Sequence, residues 1–291
     1  MEQTPFRRFL SDYCESRLAV GALIVLVVIL FIAVFAPLIS PQDPYDLRQL
    51  DVMDARLEPG ASLGNGTIAR LGTDDQGRDM LSGIFYGVRI SLFVGFSATL
   101  LALLLGATVG MTAAYVGGRT DSLLMRIADI QLSFPPILIA LILLALLGQG
   151  LGKIIAALVT VQWAYYARTI RGAALVERRK EYIEAAQVLA LPASRIVFRH
   201  LLPNCLPPLI VIATVQMASA ITLEATLSFL GLGLPITEPS LGLLIANGFN
   251  YLLSGKYWIS MYPGLALLMM IVAINLVADQ LRDALNPRLQ K

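Results

Sequence analysis

The sequence predicts an all-α membrane protein of six transmembrane helices. Three observations carry that reading. The 291 residues are 57% hydrophobic and only 14% charged, with a mean hydropathy of +0.72. Soluble domains carry about 25% charged residues, so too little polar surface is left here to coat a soluble chain of this length. Residues 18–39 are uncharged and almost wholly aliphatic. At a helical rise of about 1.5 Å per residue they reach about 33 Å, enough to cross a hydrocarbon core of about 30 Å. Further apolar stretches then recur along the chain, separated by polar segments.

Arg7, Arg8 and Arg17 precede the first run, as they would in a signal peptide. A signal peptide needs an apolar part of only about 7–15 residues, and this run is longer, so it is read as a span. Residues 40–89 turn polar, with Pro41, Pro44 and Pro59, and read as an outer loop with a short helix near 78–86. Residues 90–116 form the second span and hold Gly106-x-x-x-Gly110, a spacing that lets helix backbones approach closely in lipid. Residues 123–147 form the third. Pro135 and Pro136 predict a kink there, and Arg126 and Asp129, three apart, suit a local ion pair or snorkelling. Residues 154–167 form a short, weak fourth span ending in Trp163, Tyr165 and Tyr166, as an interfacial belt does. Residues 206–232 form the fifth and contain Glu224; residues 261–277 form the sixth, closed by Asp279, Arg282 and Asp283.

Charge sets the orientation. With the N-terminus inside, most of the 22 Lys and Arg residues fall on the inner side, among them the run Arg178-Arg179-Lys180. The outer loop instead gathers Asp43, Asp46, Asp51, Asp54, Glu58, Asp74, Asp75 and Asp79. Both termini are expected inside. The organisation is then an inner segment (1–17), a first span (18–39), an outer loop (40–89), a five-helix core (90–281) that includes an inner loop at 168–205, and an inner tail (282–291). Omitting the weak fourth span would turn the most basic loop outward, which argues for keeping it.

Several function classes are excluded. A net charge of +2 makes no case for nucleic acid. Cys14 and Cys205 are too few and too distant for a disulfide framework or a cysteine zinc site. His200 is the single histidine, so no metal site of the HExxH type exists. Gly148-Gln-Gly-Leu-Gly-Lys153 lacks the spacing of a phosphate-binding loop, and Ile154 stands where Ser or Thr is required; it reads as a turn. No catalytic, cofactor or metal residue is predicted.

The inner loop at 168–205 carries the functional signal. From Glu181 to Ala190 the composition favours helix, and Leu191-Pro192 breaks it. Pro192 suits the first turn of a second helix over 194–202, which Pro203-Asn204 is expected to end. Ile183, Ala186 and Ala190 share one face; Ile196, Val197 and His200 share another. Ala185 and Ala186 let another backbone approach, and Glu184 supplies a fixed charge. Two short helices at a fixed angle form a knob shaped to press into a partner's groove. The alternative is a solvated basic loop that only sets topology.

Glu184-Ala185-Ala186, a small residue at Ala190, and Leu202-Pro203 together resemble the EAA loop of ABC importer permeases, whose pattern is EAA-x3-G-x9-I-x-L-P. Ala190 stands in place of the glycine and His200 in place of the isoleucine, and an alanine is not expected to take a left-handed backbone there. Residues 71–79 (LGTDDQGRD), 199–204 (RHLLPN), 227–233 (LSFLGLG) and 281–287 (LRDALNP) are similar to segments of the second, C-type permease subunit of dipeptide, oligopeptide and nickel importers. The resemblance implies a type I ABC importer permease fold with a cytoplasmic coupling helix-turn-helix, in a bacterial inner membrane. It implies a heterodimer with a sister permease, two cytoplasmic ATP-binding subunits that carry the ATP and Mg, and a periplasmic solute-binding protein. The ATPase-coupling residues would be Glu181, Glu184, Ala185, Ala186, Ala190, Pro192, Arg199, His200, Leu202 and Pro203.

Glu224 inside a span costs a few kcal/mol or more unless it faces protein or water. It marks the translocation path, a hydrogen bond between helices, or a protonated acid. Gln216 and Asn275 are the other candidates for the path. Asp74, Asp75, Arg78 and Asp79 are expected at the outer face, either in contact with the binding protein or in a solvated or capping role. An ion-coupled secondary transporter is the competing class, but it would need more ionisable groups at mid-membrane, and inverted repeats.

Overall fold

The computed structural model describes residues 13–284 other than 15, 47 and 49. Residues 1–12 and 285–291, with Arg7, Arg8, Arg288 and Lys291 of the expected inner segments, lie outside the described residues. Nine helices of eight or more residues are found among the described residues: α1 Arg17–Ile39, α2 Met80–Val116, α3 Gly118–Leu132, α4 Pro136–Leu147, α5 Leu151–Glu177, α6 Glu181–Val188, α7 Leu202–Phe229, α8 Leu241–Phe249 and α9 Trp258–Ala284. The outer loop holds one small hairpin, Ala61–Ser62 paired antiparallel with Ile68–Ala69.

Among the described residues, four helices are long and apolar enough to cross a membrane: α1, α2, the element Ala193–Phe229 that contains α7, and α9. A further candidate is the pair α3 and α4, bent by 88°. That bend is far sharper than the kink expected at Pro135-Pro136. Two consecutive prolines remove two backbone donors, and the helix stops at Leu132 and restarts at Pro136. The expected Arg126–Asp129 pair is also corrected: Asp129 instead binds Arg168 of α5, at 2.7 Å.

α5 is longer than the predicted fourth span. Its 27 residues rise about 40 Å, but it is not among the helices apolar enough for lipid. The reason is position: Ile154, Ala157, Leu158, Val161, Ala164, Tyr166, Ala167, Ile170 and Ala174 are all buried. α5 is wrapped by α2, α3, α4 and α7, so it needs no aliphatic coat. α1 is the opposite case. It packs Ile29 and Ala33 on α2 and α9 and exposes a full flank of Leu, Val and Phe, the surface expected against acyl chains.

α2 begins at Met80, ten residues before the predicted span, so the short helix expected at 78–86 is its first turns. Asp79 caps it, Oδ2 accepting the Ser82 N–H at 2.8 Å. Its 37 residues rise about 55 Å, so several turns extend beyond a bilayer core. α2 meets α5 backbone to backbone. A Cβ on Gly106 would lie 2.3 Å from the Trp163 carbonyl oxygen, and one on Gly110 would lie 2.2 Å from that of Ala167. Only glycine fits at either point, which is the close approach that the four-residue spacing permits.

At the inner end, α6 closes with Ala190 in the left-handed region, at φ 53°. The Ala190 N–H donates to Gln187 O at 2.9 Å and the Leu191 N–H to Ala186 O at 3.2 Å, the paired bonds of a Schellman cap. The alanine therefore does adopt the glycine-like backbone, because these two bonds hold it there. Pro203-Asn204 does not end the second helix of the elbow. Ala193–Arg195 runs through a π-helical turn at Ile196–Leu201 directly into α7. The wider turn lets Leu202 N–H reach Val197 O, and Pro203, which has no N–H to donate, follows directly in the first turn of α7.

Two outcomes follow for stability. Gly110→Leu should separate α2 from α5 at a cost of about 3 kcal/mol or more, read as loss of the monodisperse folded protein on size exclusion; a normal folded yield would contradict the packing. Ala190→Gly should raise stability by about 1 kcal/mol, since relief of a left-handed alanine exceeds the added chain entropy of glycine; a lower midpoint in thermal unfolding would contradict the left-handed cap.

Candidate functional site: the inner elbow and the central cavity

The elbow has a bound face and a free face. Ile183, Ala186, Ile196 and Leu201 are buried against Tyr166, Ile170 and Ala174 of α5 and against Met111 and Ala114 of α2. Ala186 is therefore part of the anchor, not of a surface that a partner backbone approaches; Ala185 beside it is exposed. The anchor is locked by polar bonds. Tyr182 Oη donates to Glu177 Oε1 at 2.5 Å, Asn204 Nδ2 donates to Tyr182 Oη at 3.0 Å, and Lys180 Nζ lies 2.8 Å from Glu177 Oε2. α5, α6 and α7 are thus tied at one point. Burial and the bond to Glu177 push the Tyr182 phenol up to about 12, so it remains a donor across the physiological range. Arg178 adds a second clamp, donating to Ala114 O at 2.8 Å and Tyr115 O at 2.9 Å. It neutralises the last carbonyls of α2 as a cation at a helix C-terminus does.

The free face joins Glu181, Glu184, Ala185, Ala190, Pro192 and Arg199. Pro203 is exposed, while His200 and Leu202 are half-buried at the base of the elbow. Residue-type reasoning missed the apolar part of this face. Val188 is 86% exposed, Leu189 72% and Phe198 68%. These are three large apolar side chains exposed on the elbow, an unfavourable arrangement in water unless a partner covers them. Their signal in the sequence is that they fall outside the buried faces set by Ile183 and Ile196.

A cavity of about 360 Å³ opens between α4, α5, α7 and α9, lined among others by Pro136, Gln162, Tyr165, Gln216, Thr222 and Asn275. Gln216 and Asn275 thus lie on its wall, joined by Gln162 and Tyr165, which sequence reasoning did not single out. Gln162 Nε2 donates to Gln216 O at 2.9 Å and bridges α5 to α7. Among the described residues, no Asp, Glu, Lys or Arg lines the cavity. Glu224 is not on its wall. It is fully buried, with Oε2 accepting Ser91 Oγ–H at 2.9 Å and Oε1 accepting Ser228 Oγ–H at 2.8 Å. Among its sequence readings, the interhelical hydrogen bond is present here, joining α2 to α7.

Of the roles expected for the outer acidic cluster, capping is present at Asp79, the N-cap of α2. Asp74, Arg78 and Asp79 are buried and only Asp75 is half-exposed, so three of the four are closed to a binding protein. Arg78 Nε lies 3.0 Å from Asp74 Oδ2, and Arg78 Nη2 donates to Ile236 O at 3.0 Å. Asp74 Oδ1 accepts the N–H groups of Gln76 and Arg78. Burial pushes the Asp74 carboxyl up, and Arg78 opposes that shift. Gly77, at φ +78°, lets the Asp51 carbonyl approach where a Cβ would stand. The segment is an internal latch that fastens the outer loop to the start of α2. Its charges are met by Arg78 and by the backbone N–H groups of Gln76, Arg78 and Ser82.

Comparison with known proteins agrees with this geometry. Residues 102–291 match the family model described as binding-protein-dependent transport system inner membrane component. Residues 4–59 match the N-terminal TM domain of oligopeptide transport permease C. The di/tripeptide transport system permease protein DppC of Pseudomonas aeruginosa is 37% identical, across 99% of this chain and 93% of that protein. The dipeptide transport system permease protein DppC of Escherichia coli K12 is 40% identical, across 99% and 95%. Among solved structures, the MetNI methionine ABC transporter in an inward-facing conformation matches with a TM-score of 0.58 at 20% identity, over 71% of this chain and 98% of that one. That likeness establishes the fold. The chain belongs to the family of binding-protein-dependent transport system inner membrane components, the multi-pass permeases of ABC importers.

Proposed function

We propose that this chain forms half of the translocation pathway of a bacterial peptide importer. It crosses the inner membrane six times, with α3–α4 as one broken span, α5 as a protein-enclosed span, and both termini in the cytoplasm. It pairs with a sister permease, receives peptides from a periplasmic solute-binding protein, and is driven by two cytoplasmic subunits that bind ATP and Mg. The relatives named for dipeptide or di/tripeptide transport support the substrate class. The uncharged, amide-lined cavity supports it independently, since a neutral wall admits peptides whatever the charge of their side chains.

The observation that carries the proposal is the two-faced elbow. Its inner side is fixed to α2 and α5, while Glu184, Val188, Leu189 and Phe198 stand free. Closure of the ATP-binding subunits moves a groove that holds the free face. Because α6 cannot slide on its anchor, the displacement passes into α5 and α7, which form the cavity walls. The bundle is then a two-state element biased by nucleotide on one side and by the loaded binding protein on the other.

Glu184→Lys and Phe198→Ser should each weaken capture of the ATP-binding subunits about tenfold or more, as central contact residues do, with uptake of labelled dipeptide falling in parallel and the amount of permease in the membrane unchanged. Normal dipeptide uptake by both variants would contradict the proposal.

A further inference from the structure

We infer that α3 carries a binding site for the phosphate of an anionic phospholipid in the inner leaflet, formed by Arg119, Ser122 and Arg126. Gly118, Arg119, Ser122, Leu123 and Arg126 line an open surface depression along α3. Residues 119, 122 and 126 fall at i, i+3 and i+7 and so share one stripe of the helix. The two arginine Cα atoms are about 10 Å apart along the axis. At that spacing, two long guanidinium side chains can reach one phosphate lying over Ser122.

The charges nearby leave this stripe short of an anion. Both acids of α3 are taken by α5. Asp121 accepts two bonds from Arg171, each 2.6 Å, and Asp129 is held by Arg168 at 2.7 Å. Among the described residues, neither Arg119 nor Arg126 forms an ion pair. Arg126 would meet Asp129 three residues on, yet α5 has claimed that carboxylate. The helix keeps two exposed arginines and no acid to match them.

The surroundings select a lipid over a soluble anion. α3 starts one residue after α2 ends, at Gly117, beside the carbonyls that Arg178 caps. In the topology proposed above this is the inner headgroup level. Leu123, Ile127 and Ile130 continue along the same side of α3 and are 62%, 48% and 57% exposed. A cation pair next to an exposed aliphatic strip matches a phosphate attached to acyl chains. A free phosphate would use only half of that surface.

The test is lipid retention by the complete importer, this chain with its sister and ATP-binding subunits. The complex is taken from vesicles of phosphatidylcholine and phosphatidylglycerol, and its bound lipids are identified by native mass spectrometry. Wild type should retain phosphatidylglycerol over phosphatidylcholine, and excess inorganic phosphate should not displace it. Arg119→Gln or Arg126→Gln should each lower that preference about fivefold, and the double variant about thirty-fold, the equivalent of about 1 kcal/mol per arginine. Arg48→Gln with Arg70→Gln, in the outer loop, should leave it unchanged. Equal retention of the two lipids by wild type, an unaltered preference in the double variant, or displacement by phosphate would overturn the inference. Loss of the sister subunit from the double variant with lipid retention unchanged would overturn it in favour of a subunit contact. No readout uses a transported substrate, so this inference and the peptide reading fail separately.

Discussion

The fold depends on the contact between α2 and α5. Gly106 and Gly110 bring the α2 backbone against the carbonyls of Trp163 and Ala167, a contact that lipid cannot replace, because in a bilayer helices associate through packing and not through expulsion of water. Everything functional is referred to this pair. α4 and α7 complete the cavity by packing on the outer part of α5, and the elbow packs on its inner end. α3 is riveted alongside it by the Asp121–Arg171 and Asp129–Arg168 pairs.

From that pair the proposed route to function is mechanical. A surface meant to transmit force must be free on one side and immobile on the other. The elbow meets both needs with few residues. Ile183 and Ile196 are sunk into the bundle, and Tyr182 bonds both Glu177 and Asn204. The left-handed Ala190 fixes the angle between the two short helices, and the π turn lets the second run unbroken into α7. In the proposed mechanism, a push on Phe198 or Leu189 enters α7 through the π turn and passes Pro207 and Pro208 before it reaches the cavity wall. Glu224, which the sequence leaves open as a path residue, instead ties α2 to α7 behind the cavity. Within a bilayer, such a carboxyl is tolerated only when its oxygens are bonded.

Much of this architecture is legible in the sequence, and the exceptions share a cause. Aliphatic runs announce α1, α2 and α9 because those helices meet lipid. α5 is faint because it meets protein, where polar and small residues are admitted. α8 is not anticipated at all, since a nine-residue helix wedged by Gly242 and Gly248 against α7 and α9 needs no periodic stripe. The elbow is legible as two helices from Glu181–Ala190 and Pro192. Its expected stop at Pro203 fails because a proline in the first turn of a helix starts it as readily as it ends one. The charged pairs depart furthest from expectation. Arg126 and Asp129 have the spacing of partners, and residues 74–79 read as a binding-protein contact or a solvated or capping segment. Arg168 decides the first and the buried turn around Arg78 decides the second, through contacts to α5 and to Ile236 that lie far away in sequence.

The most direct measurement of the central claim is the sidedness of the elbow. In a variant with Cys14→Ser and Cys205→Ser, a single cysteine is placed at Val188 and reacted with a membrane-impermeant maleimide. The account predicts no labelling in sealed cells, labelling in inverted vesicles stripped of the ATP-binding subunits, and protection when those subunits are restored. Labelling from the outer side, or free labelling in the assembled complex, would contradict it.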